Sequence, residues 1–234
     1  MPEITLYTYF RSSCSARLRI ALHLKSLPYT PIALNLLEGA QQAPDNLARN
    51  PSGTVPTLLI SPSPSPGSGS GSPTAAPIKI TQSLAALEYL DEAFPATPAL
   101  LPRDPATRAL ARTLAQIIAC DVQPVTNLRI LQRVAPWGVD RAAWSRDLIA
   151  DGLRAYETII AEAGVSGTFS VGDQVTVADV CLVPAVWGAE RVGVDVAGLF
   201  PVVARVVRRL ERLEAVRSAH WARQADTPAE LRVE

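Results

Sequence analysis

The sequence predicts a small α/β domain followed by an all-α domain. Two observations carry this reading. Strand-like alternation and helical spacing trade places down to residue 94, in the order βαβα and then ββα. Beyond Pro95, Pro98, Pro102 and Pro105, every remaining periodic run is helical. The boundaries that follow are 1–94 for the α/β domain, 95–104 for a linker, and 105–234 for the helical domain.

Each element has its own signal. ITLYTYF, 4–10, alternates as a strand does. Residues 16–24 have helical spacing, with Ile20 and Leu24 on one face and Leu18 and Leu22 on another. A second strand is expected over 29–35, after Pro28, and a short helix over 41–47. NPSGTVPTLLI reads as a turn running into a β-rich segment, and residues 78–82 as a brief strand. Residues 83–94 form a helix, with Leu84, Leu87 and Leu90 on its buried stripe. In the second half the helices are 106–132, 141–163, 177–192 and 201–217. SPSPSPGSGSGSPTAAP, 61–77, is too low in complexity to bury a core and reads as a flexible, overgrown hairpin loop. Loop closure costs rise slowly with length, so such an insertion is tolerable.

Composition narrows the function classes. The chain is 48% hydrophobic and 19% charged, enough for a real core. Its 22 basic residues balance 22 acidic ones, which argues against sequence-independent nucleic-acid binding. No apolar run reaches the roughly 18 to 20 residues that span a bilayer. Residues 1–10 lack the basic start and apolar core of a secretory signal, so a soluble cytoplasmic protein is expected. The cysteines, Cys14, Cys120 and Cys181, are far apart, and His23 and His220 are the only histidines. That argues against a metal site or a Ser-His-Asp triad. An enzyme of this composition takes its chemistry from something it binds.

The segment RSSCSAR, 11–17, places Ser12, Ser13, Cys14 and Ser15 at a strand-to-helix junction. One serine suffices as a helix cap. The surplus hydroxyls, beside unpaired N–H groups and the positive end of a helix dipole, suit an anion or a thiolate. Such surroundings lower a thiol pKa from about 8.5 by about one or two units. TVPTL, 54–58, is a turn device or a cis-proline entry to a strand. In TQSLAALEYL, 81–90, Ser83 reads as a cap. Thr176 and Asp179 have capping-box spacing and read as structural.

Taken in order, these segments resemble the cytosolic glutathione transferases, and YFRSSCSARLRIAL resembles their zeta class, the maleylacetoacetate isomerase family. NLARNPSGTVPTL, ITQSLAALEYLDE, LLPRDP, DVQPVTNLRIL, VGDQVTVADVCLVP and HWARQADTPAELR extend the resemblance over nearly the whole chain. It implies a thioredoxin-like N-terminal domain and glutathione as cofactor. It implies that Ser12 donates to the glutathione thiolate, with Ser13, Cys14 and Arg17 in the same loop and helix start. Cys14 is then a supporting wall, since the attacking sulfur arrives with glutathione. Val55 would pair its backbone with the cysteinyl part, as an added strand does, and Pro56 would be cis. Gln82 and Ser83 would hold the γ-glutamyl end. Gln42, Gln123 and Asn127 match positions lining the cofactor site. Arg11 and Arg191 match arginines available to a dicarboxylate substrate, for which the guanidinium fork is suited.

The implied reaction is isomerisation of 4-maleylacetoacetate to 4-fumarylacetoacetate in tyrosine and phenylalanine breakdown, without consumption of glutathione. The implied assembly is a homodimer. Conjugation, dehalogenation or isomerisation of another small electrophile is the alternative, and a non-enzymatic binding module is a third. Two departures stand out. Ala16 occupies the position where the family signature has tryptophan, and 61–77 is long.

Overall fold

The structure, a computed structural model, describes residues 2–62, 76–162 and 164–233. The chain divides into two units, Met1–Pro98 with Ser218–Glu234, and Ala99–Arg217.

The first unit is built on a four-stranded sheet in the order β2-β1-β3-β4. In β1, Glu3–Thr8, alternation buries Ile4, Leu6 and Thr8. β2, Thr30–Ala33, runs parallel to it, with Tyr7 opposite Ile32. Pro31 lacks an N–H, which fits an edge strand and a shorter element than the 29–35 expected. β3, Thr57–Ser61, is antiparallel to β1, and β4, Ile78–Ile80, is antiparallel to β3. Ile60 faces Ile78, so the low-complexity stretch joins the two strands of a hairpin. Its residues 63–75 lie outside the described residues, and with them the expectation of a flexible loop.

Helices α1, Ser13–Leu24, and α3, Ser83–Ala93, pack on each other. The buried stripe of α3 runs through Ser83, Ala86, Leu87 and Leu90, while Leu84 is half-buried. The short α2, Pro44–Arg49, follows a 3-10 turn at Ala40–Gln42.

The second unit is helical. α4, Pro105–Gln116, is capped by Asp104, which accepts from the Thr107 N–H at 2.8 Å. The single helix expected over 106–132 is broken. Pro124 has no N–H, and its ring would clash with the carbonyl four residues back. The chain opens instead into a π turn, Ile117–Val122, in which Gln123 N–H reaches the Ile118 carbonyl. α5, Gln123–Thr126, is short, and extended Asn127 caps α6, Leu128–Val134. α7, Arg141–Ala161, and α8, Val177–Arg191, follow. α8 is buried over most of its length, and Thr176 and Asp179 close the capping box that their spacing predicts. After the short α9, Val196–Leu199, the run 201–217 is two helices, α10, Pro201–Leu210, and α11, Glu214–Ala219.

The tail differs from the expectation that it belongs with the helical domain. Ser218–Glu234 groups with the α/β unit. The cause is specific: Asp226 accepts from the Phe10 N–H at 2.8 Å, and Arg19 donates to the Ala219 carbonyl at 3.2 Å.

Candidate functional site

Four residues, 9–12, join β1 to α1. Tyr9 and Phe10 turn inward edge to face, with ring centroids 4.7 Å apart. The Ser12 N–H closes the turn onto the Tyr9 carbonyl at 3.0 Å. Ser12 keeps an extended backbone, so the helix starts after it, and its Oγ accepts from the Ser15 N–H at 3.1 Å. Ser12 itself is therefore the cap, and Ser13 and Cys14 are the first helical residues. This sharpens the chemistry. Capping uses a lone pair of the Ser12 hydroxyl, and its O–H stays available to donate. No acidic side chain sits in the first turn of α1 to offset the positive dipole end.

Ala16 is 2% exposed. An alanine in place of tryptophan thus leaves no open surface at that Cβ.

The entry to β3 is a second loop. Asn50 is buried, donates to the Thr54 carbonyl at 2.9 Å and accepts from the Ser52 N–H at 3.1 Å. Gly53 has φ +58, and a Cβ there would come within 2.6 Å of the Gln42 side chain. The absence of a Cβ lets the Gln42 amide donate to the Gly53 carbonyl at 3.0 Å. Gln42, implied by resemblance to line the cofactor site, thus also braces the turn leading to Val55. The Val55–Pro56 bond is cis. Val55 packs with Tyr9 and Phe10, and with Leu34, Leu36, Trp221 and Leu231 around them.

The third loop precedes α3. Gln82 is exposed and extended, and its side chain makes no capping bond. Ser83 does not serve as the cap its position suggested. It is buried as the first helical residue, and its Oγ accepts from Arg17 Nη1 at 3.0 Å. The two loops that open α1 and α3 are thereby linked. Both helices lack acidic residues in their first turns, so two positive dipole ends and the Arg17 guanidinium favour anionic groups here.

Arg19 was not singled out from sequence. It is fully buried and donates to Thr8 Oγ1, to the Tyr9 and Phe10 carbonyls and to the Ala219 carbonyl. Burial pulls its guanidinium down to about 10, opposed by the nearby Tyr29 and Asp226. The signal available was the run ARLRIALHL, which lacks a wholly polar face and so buries its arginines, Arg19 as well as Arg17.

Arg11 is exposed, its guanidinium 5.2 Å from the centre of the Phe10 ring. In the second unit, Gln123 is half-buried just after the π turn. Asn127 accepts from the Ile130 N–H and donates to the Pro124 carbonyl, so its amide already holds a helix start. Arg191 is exposed in the last turn of α8. Ser12, Arg17 and Ser83 are held around the starts of two helices, and Gln42 with the Val55 turn. Among the described residues no three His, Cys, Asp or Glu side chains are grouped to hold a metal ion.

Residues 11–93 match the glutathione S-transferase N-terminal domain, and residues 146–214 the glutathione S-transferase C-terminal domain. The chain is 63% identical to maleylacetoacetate isomerase maiA of Aspergillus fumigatus, over 99% of its own length and 96% of that protein's. It is similar to the holo structure of a bacterial zeta-class glutathione S-transferase, a maleylpyruvate isomerase. That match has 36% identity and a TM-score of 0.84, covering 96% of this chain and 100% of that one. A maleylacetoacetate isomerase of Anaeromyxobacter dehalogenans, holding dicarboxyethyl glutathione and citrate in its active site, matches at 33% identity with a TM-score of 0.83. There 100% of this chain and 98% of that one are covered. With Ser12 heading α1, a cis Val55–Pro56 bond and Ser83 heading α3, this chain belongs to the zeta class of the glutathione S-transferases, the maleylacetoacetate isomerase family.

Proposed function

We propose that this protein is a glutathione-dependent cis–trans isomerase that converts 4-maleylacetoacetate to 4-fumarylacetoacetate. The observation that carries the reading is the 63% identity, along nearly the whole of both chains, to the Aspergillus fumigatus maleylacetoacetate isomerase.

The residues fit glutathione. It is an anionic tripeptide, and the loops supply a hydroxyl donor at a helix start, a Val55 backbone set by the cis bond to Pro56, and a buried guanidinium. When bound, glutathione supplies a thiolate that adds reversibly to the cis double bond, which can then rotate as a single bond. The protein's own groups do the rest. Ser12 O–H donates to the sulfur and holds it ionised, helped by the α1 dipole. Ser13 and Cys14 wall the same turn. Val55 and Pro56 align the peptide backbone. Gln82 and Ser83, with Arg17 behind, hold the γ-glutamyl end, while Gln42 fixes the turn and, with Gln123 and Asn127, lines the site. Arg11 and Arg191 take the substrate carboxylates and the enolate charge that develops between the carbonyls.

The assay is conversion of maleylacetoacetate with catalytic glutathione. The expected result is formation of the fumaryl isomer with glutathione recovered. A folded protein that binds glutathione and does not speed the isomerisation sinks the reading.

A second substrate is favoured by one observation, the maleylpyruvate isomerase among the similar structures. Maleylpyruvate presents the same cis double bond between carbonyl groups, so the two compounds belong in one panel, and the larger kcat/KM assigns the substrate. Net loss of glutathione to an electrophile, without isomerisation, would indicate a conjugating enzyme instead. The proposal includes a homodimer acting in the cytoplasm, tested by sedimentation and by cell fractionation.

A further inference from the structure

The polar backbone atoms beside Ser12 are held by groups from far along the chain. Tyr9 O accepts from the Ser12 N–H at 3.0 Å and from Arg19 Nη1 at 3.3 Å. Phe10 O accepts from Arg19 Nη2 at 3.0 Å, and the Phe10 N–H donates to Asp226 Oδ2 at 2.8 Å. The same guanidinium reaches the end of β1 through Thr8 Oγ1 at 3.1 Å and the tail through the Ala219 carbonyl at 3.2 Å. The tail is in turn fastened to itself. Thr227 Oγ1 donates to the Trp221 carbonyl, and Arg232 Nε to the Thr227 carbonyl at 2.9 Å. Trp221 and Leu231 then pack against Tyr9, Phe10 and Val55, so one apolar cluster backs two of the site's loops.

We infer that Arg19 and Asp226 are positioning residues for the thiolate site: through the Tyr9 and Phe10 peptide groups they hold the turn that aims the Ser12 hydroxyl. This rests on the reading of Ser12 as the donor to the glutathione sulfur. A donor hydrogen bond works over a few tenths of an ångström. Residues 9–12 have neither a strand partner nor a helix of their own to supply that precision. A tail serving only to cover apolar surface would need Trp221 and Leu231 but no bond to the Phe10 N–H. The C-terminal segment therefore belongs to the active-site apparatus.

The test uses the full chain with Asp226→Ala and Asp226→Asn. Three quantities are read: ionisation of bound glutathione by thiolate absorbance against pH, affinity for S-methylglutathione, which has no thiol to ionise, and amide exchange over residues 9–15 without ligand. For Asp226→Ala the bound thiol should ionise about one pH unit higher, so the thiolate fraction at neutral pH falls up to about tenfold. S-methylglutathione affinity should change much less, and exchange over 9–15 should quicken. Asp226→Asn, which keeps an acceptor oxygen, should restore the ionisation curve. If Asp226→Ala does not fold, Asp226→Glu, which displaces the carboxylate by one methylene, gives the same shift at smaller amplitude. An unchanged ionisation curve in a folded but less stable Ala variant overturns the inference, leaving the tail a clasp. So does an Asn variant as impaired as Ala, since charge rather than the hydrogen bond would then matter. A wild type that binds no glutathione overturns the functional reading instead, and the exchange measurement still decides whether Asp226 holds the turn.

Discussion

Arg17 Nη1 donates to Ser83 Oγ over 3.0 Å, joining the helix that Ser12 caps to the start of the helix that follows β4. Both side chains are buried. Removing the hydroxyl takes an acceptor from a buried guanidinium, at a cost of about 1–3 kcal/mol. Ser83→Ala is expected to lower the urea midpoint accordingly, with an unchanged m-value. If Ser83 also holds the γ-glutamyl end, as proposed, glutathione affinity should fall by roughly tenfold in calorimetry. A loss of stability with unaltered affinity would remove Ser83 from the binding set.

Ser12 has two duties that substitution can separate. Its Oγ caps α1 through the Ser15 N–H. Ser12→Ala should cost about 1 kcal/mol of stability, the usual worth of such a cap. It should also raise the pKa of bound glutathione, by about one unit or more, as a charge-assisted donor is lost. Ser12→Thr keeps the hydroxyl and should preserve both. Chemical denaturation reads the first effect and thiolate absorbance the second. A Ser12→Ala variant with the cap penalty and an unmoved thiol pKa would make Ser12 structural only.

What the sequence made visible was local. The alternation of β1 and the capping box at Thr176 and Asp179 each lie within one strand or one turn of the residues that reveal them. The Ser12 junction was visible for the same reason, although the surplus of serines hid which one is the cap. Two failures were also local and avoidable: Pro124 signals a break in the 106–132 helix, and the Arg19 burial follows from a helix with no polar face. The bond between Phe10 and Asp226 spans 216 positions and leaves no mark on periodicity or composition. Nor does the Arg17–Ser83 pair, 66 apart, which turned an apparent cap into an acceptor. The departure at Ala16 weighs less once its Cβ is found covered.

His220 gives a pH dependence with a definite sign. Its Nδ1 accepts from the Ala222 N–H, capping the 3-10 turn Trp221–Arg223. Burial first, then Arg223 and Arg19, lower its pKa below the usual histidine value of about 6.5. The unfolded chain therefore takes up a proton at a higher pH than the folded one. It binds more protons between the two values, so stability falls as pH drops from about 6.5 down through the folded-state pKa and is fully present above that window. Stability measured by denaturation at several pH values should show this decline, and His220→Asn, which does not titrate, should lack that share. An equal decline in wild type and variant would mean that other groups carry it.

The π turn is accommodated by a single glycine. A Cβ built on Gly152 of α7 would collide with Val122 Cγ2, and Val122 is buried at the end of the π turn, one residue before Gln123. Alanine favours a helix over glycine by about 1 kcal/mol, so an unobstructed site would gain stability from Gly152→Ala. Here the overlap must move Val122 in a packed interior, which costs about 1–3 kcal/mol and should outweigh that gain. Val122→Ala alone should destabilise by loss of buried methyl groups. The two substitutions together should lose less than the sum of their separate effects, since the shorter side chain makes room for the new Cβ. A double-mutant cycle in urea measures the difference, expected to be about 0.5–3 kcal/mol for side chains in contact. If Gln123 lines the cofactor site, the single Gly152→Ala variant should also bind glutathione more weakly and the double variant recover, because the displaced residue immediately precedes Gln123. Strict additivity in stability would mean that Gly152 and Val122 do not meet, and that the glycine is not what lets the π turn sit against α7.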